Sequence, residues 1–202
     1  MMSDRGLVYD MSRARRGTTG PQGAFTNNLG IGAAIGAGAF VVNYVLTYVF
    51  VAIDGVDTDP IETWKFAGNL LYNAQFVDSE ISGGGSSNTE NVLSEASGDL
   101  TSTVPSLVYQ AVPIIVLVVA GVLVVKQAQS RLDTGSSAAA GASIVGGYGV
   151  LAVLGVFLFE YSYDIFGQSI SVAPEMVPAI LLAGIAFPLV LGAIGGAIAN
   201  EL

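Results

Sequence analysis

Four long stretches of this 202-residue chain contain no Asp, Glu, Lys or Arg: Leu29–Ile53, Pro105–Val125, Ala138–Phe159 and Met176–Ala199. A helix of ~20 mostly apolar residues crosses the ~30 Å hydrocarbon core of a bilayer, so each stretch predicts a transmembrane helix. An open sheet would leave its edge groups unpaired in lipid, and four strands are too few to close a barrel. The fold class predicted is therefore all-α, a polytopic membrane protein with four transmembrane helices.

Between the first two apolar stretches, at 54–104, the pattern changes twice. Asp59-Pro60-Ile61-Glu62 carries an N-cap carboxylate, a proline for the first turn and a glutamate three residues after the cap. Downstream, Trp64, Ala67 and Leu71 form one stripe with Phe66, Leu70 and Val77 beside it, while Lys65, Asn69 and Asn73 sit among them. This predicts an amphipathic helix over 60–77, lying at the outer interface or tucked against the bundle. From Asp78 to Thr103 the chain turns to Ser, Gly, Asn and acids, a composition that predicts disorder over 78–103.

Charge sets the orientation. Arg5, Arg13, Arg15 and Arg16 precede the first apolar stretch, and Lys126 and Arg131 lie between the second and third, leaving only Lys65 elsewhere. Positive residues near span ends stay cytoplasmic, so both termini are expected on the cytoplasmic side of the plasma membrane. Residues 1–28 read as a flexible cytoplasmic tail, not a cleaved leader, because the first apolar run is already long enough to span. Twelve acids then fall outside against four inside.

Composition narrows the chemistry. The chain has no Cys and no His, which removes disulfides, thiol nucleophiles, imidazole bases and the usual zinc or copper ligands. A net charge of −9 argues against nucleic acid as a partner. The spans hold no nucleophile–base pair and no ligand cluster, so no catalytic, cofactor-binding or metal-binding residue is assigned and no cofactor is expected. The outward acidity with only two lysines resembles proteins of extreme halophiles, whose carboxylates hold water and cations where salt screens repulsion.

The polar groups within spans are Asn43, Tyr44, Thr47, Gln110, Ser143 and Tyr148. They suit interhelical hydrogen bonds of ~0.6–2 kcal/mol, or contacts to a solute or ion. Gly32 and Gly36, and again Gly192 and Gly196, have the GxxxG spacing that lets helices approach closely, within one bundle or across a homodimer seam. Pro113, Pro178 and Pro188 each remove an amide donor from a span, as ordinary membrane prolines or as breaks of the kind transporters use. Glu160 and Asp164 would share a face if the third helix continued past Phe159. Each half of the chain is a span, an acidic outer loop and a proline-bearing return, consistent with a parallel two-plus-two repeat.

The segments FVVNYVLTYVFVAID (Phe40–Asp54) and WKFAGNLLYNAQFVD (Trp64–Asp78) resemble an uncharacterised haloarchaeal membrane family, some of whose members carry a generic transporter label. The resemblance covers most of residues 29–199 and implies no substrate, cofactor or catalytic residue. The function expected is that of a non-enzymatic structural or accessory membrane component, with a small oligomeric transporter or channel as the alternative. Its partners would be the lipid bilayer and other copies or other membrane subunits.

Overall fold

The computed structural model describes residues 20–95, 103–128 and 132–202. Residues 1–19, with the four arginines that weigh most in the orientation, lie outside the described residues, as do 96–102 and Arg131. Four helices are long and apolar enough to cross a membrane: Leu29–Asp54, Ser106–Gln127, Thr134–Leu158 and Met176–Ile198. In chain order the helices are α1 (Pro21–Asn27), α2 (Leu29–Asp54), α3 (Thr63–Asn73), α4 (Val92–Glu95), α5 (Ser106–Gln127), α6 (Thr134–Ala142), α7 (Val145–Leu158), α8 (Met176–Pro178) and α9 (Phe187–Ile198).

The long helices close into a ring. α2 packs on α5 and on α7, α5 packs on α9, and α9 packs on α6. The core between them is built from Phe40, Leu117, Val124, Ile144, Tyr148, Ala152 and Ala183. Outward faces carry exposed Val41, Val45, Ile115, Val119, Val150, Leu154, Leu181 and Val190. This inside-out distribution of apolar surface is unlike that of a water-soluble bundle.

Two of the four long helices are irregular, each for a local reason. α6 and α7 are separated at Ser143–Ile144, where the Ser143 hydroxyl donates back to the Ala140 carbonyl at 2.6 Å. Such back-bonding competes with the helical ladder and bends it. Between α8 and α9 the chain is π-helical over Ala179–Ala186. Pro178 ends the α-turn before that stretch and Pro188 lies in the first turn after it. A proline at 188 supplies no N–H to the carbonyl one turn earlier, and the ladder is reset there. Pro113 is buried within α5.

The structure corrects the all-α reading. Strands β1 (Ser79–Gly83), β2 (Ser86–Glu90), β3 (Tyr161–Ile165) and β4 (Gln168–Pro174) form one antiparallel sheet in the order β2-β1-β4-β3. The stretch 78–103 was expected to be disordered, yet it supplies β1, β2 and α4 from its described part. Polar Ser, Asn and Thr side chains do not mark a strand by themselves. Here β1 gains two partners, β2 by a hairpin through Gly84 and Gly85 and β4 from the loop that follows α7. Both glycines have positive φ, +60° and +85°, the conformation that a tight hairpin turn needs. Glu160 and Asp164 also part from expectation: Asp164 stands on β3 and Glu160 just before it. At ~3.3 Å per residue they are too far apart to share a cation.

The sheet holds the loop after α2 and the loop after α7 together at one end of the bundle. Its central pair is β1 with β4. A two-fold repeat of halves would instead pair equivalent strands, β1 with β3 or β2 with β4. The sheet therefore does not carry the two-plus-two symmetry. At the opposite end, residues 21–27 of the expected tail form α1, which packs on α6.

Candidate functional site

α3 is the element that sets this bundle apart. It begins at Thr63 with Glu62 as its N-cap, not at Pro60 as the capping pattern suggested. Ala67, Leu70 and Leu71 are buried, as the stripe predicted, but so are Asn69, Tyr72, Asn73 and Gln75. Helix α3 does not lie with one wet face on the surface; it enters the mouth of the bundle. The Tyr72 hydroxyl donates to the Ala152 carbonyl of α7. Trp64 and Tyr72 sit edge-on to Phe159, at ring centroid distances of 6.2 and 6.4 Å.

The turn that ends α3 is a left-handed cap. Val77 N donates to Tyr72 O at 3.0 Å and Phe76 N to Asn73 O at 3.1 Å, the paired bonds of a Schellman motif. Phe76 occupies the left-handed position with φ 59°, where glycine is the usual choice. Its ring stays exposed and meets Phe187 of α9 at 6.2 Å.

The innermost part of the mouth is a short relay. Asn43 Nδ2 donates to Tyr148 Oη at 3.1 Å. Tyr148 Oη donates to Gln75 Oε1 at 3.0 Å, and Gln75 Nε2 to the Leu71 carbonyl at 3.1 Å. Because a carbonyl can only accept, Leu71 O fixes the direction of every bond in the chain. All three side chains are fully buried. Tyr148 lies ten residues before the end of α7, about 15 Å along it at 1.5 Å per residue, so the relay sits near the middle of the Thr134–Leu158 span. Asn43 Oδ1 has no hydrogen-bond partner.

Nearer the surface a second polar cluster ties α3 to the sheet and to α4. Asn69 Nδ2 donates to the Phe159 carbonyl at 2.8 Å, and Ser79 Oγ to Asn69 Oδ1 at 3.3 Å. Asn73 Nδ2 reaches Ser79 Oγ at 3.2 Å, and Asn73 Oδ1 accepts from Val92 N at 3.1 Å. Asn91 donates to Asp78 Oδ1 and caps α4 through the Leu93 and Ser94 amides. Asp54, at the end of α2, accepts from the Thr103 and Val104 amides and from the Tyr109 hydroxyl at 2.7 Å. It thereby fastens the start of α5.

Of the polar residues singled out by sequence, Asn43 and Tyr148 meet directly. Thr47 Oγ1 bonds only to the Asn43 carbonyl one turn back, at 2.9 Å. Tyr44 lies toward the mouth, donating to the Trp64 carbonyl at 3.2 Å and stacking on Phe159 at 5.2 Å. Gln110 is half-buried on α5 and joins none of these bonds. Gly32 and Gly36 face Ser143 and Ile144, and Gly192 and Gly196 face Gly141, Ile144 and Ser137. A Cβ at any of the four would overlap those neighbours. Gln75, Tyr72 and Asp54 were not anticipated as participants. The available signal was the amides Asn69, Asn73 and Gln75 mixed into an otherwise apolar helix, which cannot segregate into a wet and a dry face.

Two apolar grooves of about 390 Å³ each run along the outside, one between α7 and the π-helical segment, the other between α2 and α5. A smaller, mostly apolar cavity lies under the sheet. Among the described residues no group of three or more Asp or Glu could hold a metal ion.

These features define a class: a bundle of four helices of membrane-spanning length, stoppered at one end by an inserted helix beneath a four-stranded sheet. The chain belongs to a family described as a family of unknown function (DUF7978), whose model matches residues 11–202. No curated protein and no solved structure matches it.

Proposed function

We propose that the protein is embedded in the plasma membrane as a non-enzymatic structural or accessory component, with both termini cytoplasmic and the sheet outside. The observation that carries this reading is the stopper. Buried polar groups in the mouth bond to one another and to backbone carbonyls, so the arrangement serves packing. The exposed aliphatic belt on α2, α5, α7 and the fourth long helix suits lipid. We read the acidity of the outer loops as an adaptation to high salt, in keeping with the haloarchaeal resemblance.

A second reading, a small oligomeric transporter or channel, draws on the π-helical segment beside Pro188 and on amides carried deep into the bundle by α3. Irregular helices and inserted segments are how transporters expose backbone to a solute. Flux of ions and small solutes into proteoliposomes at high salt separates the two. Protein-dependent flux would replace the accessory role with transport. Reporter fusions at Met1 and Leu202 test the orientation; export of either reporter overturns it.

A further inference from the structure

Among the described residues two that are not glycine have positive φ, Phe76 at 59° and Phe166 at 50°. A bulky side chain held in that conformation is strained, and strain persists where a contact compensates it. At Phe76 the helix cap does not supply the contact. The apolar partner within that motif is Val77, which is buried with Tyr72 in the bundle core. The Phe76 ring turns the other way and is 56% exposed.

The depth of this ring is marked from two sides. The residue before it, Gln75, bonds to Tyr148 near the middle of the Thr134–Leu158 span. The ring itself lies 6.2 Å from that of Phe187. Phe187 stands eleven residues past Met176 in the Met176–Ile198 span, about 16 Å along it at most. Side chains on a helix lean toward its N-terminus. The two rings therefore sit between the sheet-side end of the fourth long helix and its middle. Leu182, Ile185 and Leu189 of that helix are exposed at neighbouring levels.

We propose that Phe76 is a lipid contact, laid against the hydrocarbon tails of the leaflet on the sheet side. The turn after α3 sends two consecutive side chains in opposite directions, Gln75 into the core and Phe76 to the outside of the bundle. The inserted helix is thereby gripped by protein on one side and by lipid on the other. Water is the wrong partner for the ring, because exposing an aromatic side chain to it adds a cost to the strain, whereas hydrocarbon removes that cost. Phe166 marks the contrast: it is fully exposed at the tip of the β3–β4 hairpin, outside every span. The inference rests on the membrane reading above and adds that a segment between spans reaches the lipid.

The test places nitroxide labels in proteoliposomes, using the absence of native cysteine. Molecular oxygen concentrates in lipid and a nickel chelate stays in water, so collision rates with the two report the surroundings. The label at Phe76→Cys should favour oxygen, as should one at Val190→Cys on the exposed side of α9, while Phe166→Cys favours the chelate. A water-like signal at Phe76 beside a lipid-like one at Val190 overturns the proposal and leaves the membrane reading standing. Low collision with both reagents at Phe76 also overturns it, since the site would then lie inside a protein contact. Water-like signals at all three sites overturn the membrane reading with it. Phe76→Trp combined with Trp64→Phe, which removes the sole native tryptophan, repeats the test with an aromatic ring kept. Its fluorescence should be quenched by lipids brominated on their tails and spared by aqueous iodide; the reverse overturns the proposal.

Discussion

Gln75 accepts a 3.0 Å hydrogen bond from the Tyr148 hydroxyl, joining the turn that ends the inserted helix to the middle of the Thr134–Leu158 span, 73 residues away in sequence. Neither side chain has any exposure to solvent. The contact makes α3 part of the bundle core, and it carries the polarity of Asn43 outward to a backbone carbonyl.

The Tyr148 hydroxyl serves two neighbours at once. Tyr148→Phe leaves the Asn43 amide and Gln75 Oε1 without it, and an unmet buried polar group costs ~1–3 kcal/mol. Asn43→Ala should cost ~1 kcal/mol. Because the residues touch, the double variant is expected to be less destabilised than the sum of the singles. Thermal unfolding of the four proteins checks this, and strict additivity would deny the relay.

The glycines of α2 fall into two sets with opposite expected outcomes. Gly36→Ala drives a Cβ into the Ile144 carbonyl, an overpacking worth at least ~1–3 kcal/mol of lost stability. Gly38→Ala meets nothing within 4 Å and should be neutral or stabilising by up to ~1 kcal/mol through helix propensity. Melting temperatures of the two variants in detergent decide it. If Gly38→Ala is the more damaging, α2 packs by a different face.

The β1–β4 pairing can be trapped. The chain has no native cysteine, and Ser82 and Ser171 are direct partners in the ladder. Paired Cα atoms ~4.5–5.5 Å apart suit a disulfide. Ser82→Cys with Ser171→Cys should cross-link under mild oxidation, seen as a gel shift reversed by reductant. Ser87→Cys with Ser171→Cys, separated by the whole of β1, should not. Equal yields from both pairs would show that the loops are not held in this sheet.

Alkaline conditions should loosen the sheet over a defined range. Burial, and after it the neighbouring Tyr163, push the Tyr161 phenol up to about 12, above the ~10 of an unfolded tyrosine. The stabilisation linked to that shift is fully present below pH ~10 and disappears as pH rises through about 12. Unfolding followed against pH, with phenolate absorbance as a second signal, should show a steeper alkaline loss in the wild type than in Tyr161→Phe. Identical curves would place Tyr161 in solvent.

The long apolar helices were legible because their signal is local. An uninterrupted apolar run of ~20 residues has few alternatives, and the four found in the sequence correspond to the four long helices. The GxxxG positions were legible too, but not their use. Spacing alone does not separate Gly32 and Gly36, which meet the α6–α7 junction, from Gly30 and Gly38, which meet nothing. The capping pattern at Asp59 points to a helix start three residues early, and the Asp133 cap opens α6 at Thr134, ahead of the apolar run that begins at Ala138.

What the sequence by itself determined is the number and extent of the apolar helices, the absence of thiol and imidazole chemistry, and the crowding of acids into the two loops that meet in the sheet. Tertiary structure alone decided that those loops form a sheet, that α3 points its amides inward, and that Asn43 meets Tyr148. The reason is the range of the forces involved. Burial of a long apolar segment follows from its own composition. A serine-rich strand becomes stable only when a distant partner satisfies its backbone, and a buried amide only when another helix supplies its hydrogen bond. Ser82 meets Ser171, and Gln75 meets Tyr148, only once the bundle has closed.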